Sequence, residues 1–120
     1  LAEQYLNYAE AVLRGGTGGS NAQALTYLNL LRERAYGNTS GNLTTISLNI
    51  ILEERSKELY WEAFRRTDLI RFGRYTSGNY LWPFKGGTAS GKGVEEYRTL
   101  FPLPAADLIS NPNLTQNKGY

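Results

Sequence analysis

The sequence predicts an all-α fold with three parts: a helical hairpin over residues 1–37, a long central helix over 44–74, and a loop-rich segment over 75–120. Apolar residues recur at spacings of 3, 4 and 7 in three stretches, the pattern of one buried helix face. Glycine and polar clusters separate those stretches, and glycine is costly inside helices. After Arg74 the periodicity vanishes and Gly, Ser, Thr and Pro take over.

Residues 1–14 carry a stripe of Tyr5, Tyr8, Ala9 and Val12, widened by Ala2, Leu6 and Leu13. The run Gly15, Gly16, Gly18, Gly19 stops this helix. Ser20 or Asn21 caps the next. Its stripe is Ala24, Tyr27, Leu28, Leu31 and Ala35, and Gly37 is placed to end it. Two amphipathic helices joined by a short loop pack as an antiparallel pair. The pair has about the size of one tetratricopeptide-like repeat.

The third stretch starts at Thr44, Thr45 or Ser47, after a polar turn over 38–42. Leu48, Ile51, Leu52, Leu59, Ala63 and Ile70 fall on one helix face, and Tyr60, Trp61, Phe64 and Phe72 on a second. A helix apolar nearly all round is buried on most sides. Arg55, Glu62 and Arg66 nevertheless share the first face: position 62 lies about 20° from 55, and 66 about 40° further round. Buried charges must be paired. Glu62 and Arg66 stand i,i+4 in the favoured order, Arg55 reaches Glu58 at i+3, and Asp68 reaches Arg65 or Arg71. Arg55, Glu58, Glu62, Arg66 and Asp68 are therefore expected to form a structural ion network. The helix should end near Phe72, with Gly73 as its stop.

In 75–120, the cluster Tyr80-Leu81-Trp82-Pro83-Phe84-Lys85 gathers three aromatics and one cation in a loop. Aromatic rings stack on the apolar faces of sugars, so Tyr80, Trp82 and Lys85 are the candidate ligand-binding residues. The bland reading is that the rings cap the core. Pro102 and Pro104 then enforce extended backbone, Ala105–Ile109 makes a short turn, and Leu114 and Tyr120 anchor an ordered tail over the helices.

Composition closes several routes. The chain has no Cys and no His, which removes disulfides, thiol catalysis, Ser-His-Asp triads and the usual zinc ligands. No metal or cofactor is expected. A net charge of +2, with bases interleaved among acids, argues against nucleic acid. No apolar run approaches the roughly 18 residues of a membrane span. Glu58 and Glu62 have a separation on a helix that suits a glycosidase, but each has an arginine within one turn, which opposes a raised carboxyl pKa. The reading is of a non-enzyme. Met is absent, so Leu1 is not expected to be a native start.

Glu54-Arg55-x-x-Glu58-Leu59-x-Trp61-Glu62-x-x-Arg65-Arg66-x-Asp68-Leu69-Ile70-Arg71-Phe72-Gly73 resembles a signature near the C-terminus of the SusD/RagB family. The ending Leu100-Phe101-Pro102-Leu103-Pro104, then Asn111-Pro112-Asn113-Leu114-Thr115-Gln116-Asn117-x-Gly119-Tyr120, is similar to that family's own, with Lys118 as a departure. Tyr8-Ala9-Glu10-Ala11 and Leu28-Asn29-x-Leu31-Arg32-x-Arg34-Ala35 resemble its helical pairs. The resemblance implies that residues 1–120 are the C-terminal part of a lipid-anchored protein at the outer-membrane surface. Such a protein captures glycans or other oligomeric nutrients and delivers them to a TonB-dependent transporter of the SusC type. The lipid anchor would lie upstream, and this segment would be mainly scaffold. The alternative is a tetratricopeptide-type protein-interaction module with no carbohydrate role; the Pro-rich tail argues against it, because repeat arrays continue with further hairpins.

Overall fold

The computed structural model describes all residues from 1 to 120. Five α-helices form: α1 Ala2–Leu13, α2 Asn21–Tyr36, α3 Leu48–Glu58, α4 Arg65–Arg71 and α5 Ala105–Ser110. Short 3-10 turns lie at Thr39–Gly41, Lys85–Gly87 and Glu96–Thr99, and there are no strands. The all-α reading holds. The chain divides into two compact units, Leu1–Asp68 and Leu69–Tyr120.

In the first unit the hairpin forms where the periodicity placed it. Ser20 caps α2 by accepting from the Gln23 amide at 3.2 Å, and Gly37 ends it at φ 71°. Such a left-handed C-cap suits glycine, which has no Cβ to clash. Ser47 is the third helix's cap, accepting from the Ile50 amide at 3.3 Å. Helix α1 packs on both α2 and α3. Leu6, Ala9, Ala24, Leu28, Leu31, Ile51, Leu52 and Leu59 make the core. Tyr5 stacks on Tyr27 with centroids 4.5 Å apart, and Tyr8 meets the same ring edge-on at 5.1 Å.

The long central helix expected over 44–74 is two helices. Helix α3 stops at Glu58, and the chain turns through 59–64 before α4 begins at Arg65. Trp61 and Ala63 take the left-handed region, at φ 66° and 64°. That conformation costs a non-glycine residue about 1 kcal/mol or more. The break changes which charges meet. Thirteen residues of straight helix would separate Arg55 from Asp68 by about 20 Å. The turn brings the Asp68 carboxylate to 2.9 Å from the Arg55 Nε, and also lets Arg65 donate to the Leu52 carbonyl at 3.0 Å. A continuous helix would offer Arg55 only Glu58 at i+3; in the structure Glu58 pairs with Arg34, and Asp68 serves Arg55 in its place.

The second unit is built differently. Only Leu69 and Lys85 are buried in it. Gly73 adopts φ 65° and closes the end of α4, with its amide on the Ile70 carbonyl at 2.9 Å. From there to Tyr120 the backbone is held by turns and by side chains that bond to main-chain groups.

Candidate functional site

The aromatic loop of the second unit is organised by its lysine. The Lys85 Nζ donates to the carbonyls of Arg74 at 3.0 Å, Ser77 at 2.7 Å and Tyr80 at 2.5 Å. Three carbonyls satisfy the three N–H donors of the ammonium. Burial pushes its pKa below the usual 10.5. The Trp82 ring lies 4.8 Å from the same nitrogen and meets Tyr80 edge-on, with centroids 6.2 Å apart. The structure thus brings Tyr80, Trp82 and Lys85 together. It gives Lys85 a structural task, because its donors point at the backbone and none is left for a ligand. Trp82 keeps 38% of its surface exposed, and Tyr80 is half-buried. The sequence contained the cluster but not its wiring, since backbone acceptors carry no residue signature.

The ion network centres on Arg55. Its side chain and that of Asp68 are each about 2% exposed. Besides Asp68, the guanidinium donates through Nη1 to the Asn7 Oδ1 at 2.7 Å, and it lies 5.9 Å from the Phe64 ring centroid. Glu58 does not take Arg55, as expected from i,i+3 spacing; it pairs with Arg34 of α2. Glu62 stands exposed in the turn, so the helical pair with Arg66 does not form, and Arg66 itself is half-buried. The i,i+4 geometry fails for a simple reason: residues 59–64 are not helical. Sequence reasoning missed Glu54, which is buried and accepts from Arg32 at 2.6 Å and Lys57 at 2.9 Å. It also missed Asn7 and Asn29; the latter's side chain bonds both the amide and the carbonyl of Leu43, at 2.9 and 3.0 Å.

The C-terminal residues form a second knot. Gln116 accepts from the Leu103 amide at 2.8 Å and donates to its carbonyl at 3.0 Å, acting as a one-residue strand. Asn117 donates to the Phe101 carbonyl at 2.8 Å, and the Tyr120 hydroxyl to the Leu100 carbonyl at 2.7 Å. Tyr120 also meets Tyr97 edge-on at 4.9 Å. Tyr120 does anchor the tail, but on Leu100 and Tyr97 of its own unit, where the sequence reading has the tail lying over the helices. Leu114 stays 39% exposed, and the amides do the work assigned to it.

No helix is long and apolar enough to cross a membrane. The SusD family model matches residues 1–120, the full length of the chain. The starch-binding protein SusD of Bacteroides thetaiotaomicron is 40% identical over 120 residues, which cover 100% of this chain and 20% of that protein. Among solved structures, surface glycan-binding protein A of the same organism, in complex with laminarihexaose, is 33% identical. It superposes with a TM-score of 0.73 over 97% of this chain and 23% of its own. The protein of that name from Bacteroides uniformis reaches a TM-score of 0.74 at 31% identity, over 97% of this chain and 26% of its own. The chain belongs to the SusD family. It spans about a fifth to a quarter of the length of these relatives. The match runs through the loop-rich residues 75–120 as well as the hairpin, which a repeat array would not provide.

Proposed function

We propose that this chain is the C-terminal portion of a non-catalytic glycan-binding protein on the bacterial cell surface. In this reading the parent protein is lipid-anchored in the outer membrane and hands oligosaccharides, or other oligomeric nutrients, to a TonB-dependent transporter of the SusC type. The segment itself is framework. The observation that carries the reading is the family match over every residue of the chain, and it is supported by relatives named for binding starch and glycans. The framework role is supported by the geometry: the polar side chains singled out above bond within their own units, as a scaffold requires.

Isothermal titration of the parent protein against a panel of oligosaccharides tests the reading. Binding is expected for at least one glycan, and no binding to any oligosaccharide or peptide would overturn it. The exposed edge of Trp82 sharpens the test. Trp82→Ala is expected to leave affinity nearly unchanged if the loop is framework. A loss of about tenfold, or 1.4 kcal/mol, would move Trp82 from the framework to the ligand surface.

A further inference from the structure

The turn between α3 and α4 has a consequence for the rest of the protein. It lifts Tyr60 and Trp61 out of the unit, leaving them 72% and 90% exposed. The two rings stack on each other with centroids 5.8 Å apart. Beside them opens a cleft of about 490 Å³, lined by Arg55, Ser56, Leu59, Ala63 and Arg65 with the two rings. Its walls are mainly apolar, and their polar side chains are already engaged. Arg55 is bonded to Asp68 and Asn7, Ser56 donates to the Glu53 carbonyl at 2.6 Å, and Arg65 donates to the Leu52 carbonyl. A sugar site needs several uncommitted donors and acceptors to read hydroxyls; this one offers the indole N–H and the phenol. An apolar segment needs far less.

The backbone points the same way. Left-handed residues other than glycine persist where their surroundings hold them. Within the unit, the turn is tied by the Glu62 amide to the Leu59 carbonyl at 3.1 Å, while Trp61, its most strained bulky residue, stands in the open. The family relatives are four to five times longer than this chain. A large, rigid aromatic of this kind is the usual anchor of a buried contact.

We propose that the Tyr60–Trp61 corner and its cleft are an internal docking surface. Their occupant is an apolar segment of the same parent polypeptide, lying outside residues 1–120 and bearing an acceptor for the Trp61 indole N–H. The proposal rests on membership of the family and not on glycan capture, so the two fail separately.

Hydroxyl-radical footprinting of the parent protein, without ligand, reads it directly. The expected result is loss of labelling at Tyr60 and Trp61 relative to the same protein in denaturant, unchanged on dilution and on adding any oligosaccharide the protein binds. Labelling at the denatured level in the folded protein would overturn it. Labelling that disappears only with oligosaccharide would overturn it in favour of a sugar platform. Protection lost on dilution would overturn it in favour of contact between copies. Trp61→Ala gives an independent reading: hydrogen exchange in the folded parent should speed up both at 59–64 and in one segment outside this chain. Faster exchange confined to 59–64 would also count against the docking.

Discussion

The two units of the chain hold their backbones by different means. Leu1–Asp68 has an aliphatic core under three helices and a fully buried ion pair between Arg55 and Asp68. Leu69–Tyr120 buries a leucine and a lysine, and its coil is fixed by side chains bonding to carbonyls and amides: Lys85 at three points, Gln116 at two, Asn117 and Tyr120 at one each. Apolar burial is non-directional and stabilises in proportion to area. Hydrogen bonds contribute less each but fix one geometry. The first unit is thus a stiff body that tolerates change of shape-matched residues, and the second depends on particular donors.

Removing Asp68 should break the first unit hardest. Asp68→Ala leaves the Arg55 guanidinium buried with Asn7 but without a counter-charge, and the expected loss is about 3–5 kcal/mol in chemical denaturation. The double variant Arg55→Met with Asp68→Val should recover part of that loss, because it removes both charges at closer to the native volume. A loss in Asp68→Ala of under about 0.5 kcal/mol would mean that Arg55 finds water, and that the core edge is open.

The second unit is tested by its lysine. Lys85→Met fills the space but leaves three carbonyls unserved, with an expected loss of about 1–3 kcal/mol at neutral pH. The pH dependence carries a sign. Burial lowers the folded-state pKa of Lys85 below 10.5, so over the interval just under 10.5 the unfolded chain holds that proton more tightly. Stability contributed by the lysine therefore rises as pH climbs through the folded-state pKa, and falls back as pH drops below it. The advantage of the native chain over Lys85→Met should widen across that interval in paired denaturation curves. A narrowing advantage would mean that the three carbonyls, which favour the charged form, outweigh burial.

The same contrast explains what could be read without coordinates. Ser20, Gly37 and the stripes of Leu28, Leu31, Ile51 and Leu52 were legible because caps and core faces are set within a few residues. So were the end of the central stretch at Gly73 and the tail anchor Tyr120. The break at 59–64 was not. The residues there include no glycine or proline, and their apolar spacing suits a helix that continues. The turn goes with a bond between Arg55 and Asp68, a contact of tertiary range that helical spacing does not show. Lys85 was picked out within its loop, but its bonding was not legible, because its partners are main-chain oxygens. Glu54 went unnoticed because its arginine comes from another helix.

Glu62 draws the line between these cases most finely. As a helical residue one turn before Arg66 it would have been a buried acid whose loss costs several kcal/mol. In the structure it sits exposed in the turn, and the carboxylate that matters to Arg55 is Asp68. Glu62→Ala is therefore expected to change stability by less than about 0.5 kcal/mol, the range of surface substitutions. Measured beside Asp68→Ala on the same protein, it separates a continuous helix from a broken one: the two acids exchange rank between those geometries. A Glu62→Ala loss as large as that of Asp68→Ala would mean that the turn closes over Glu62 and buries it, through a partner lying beyond these residues.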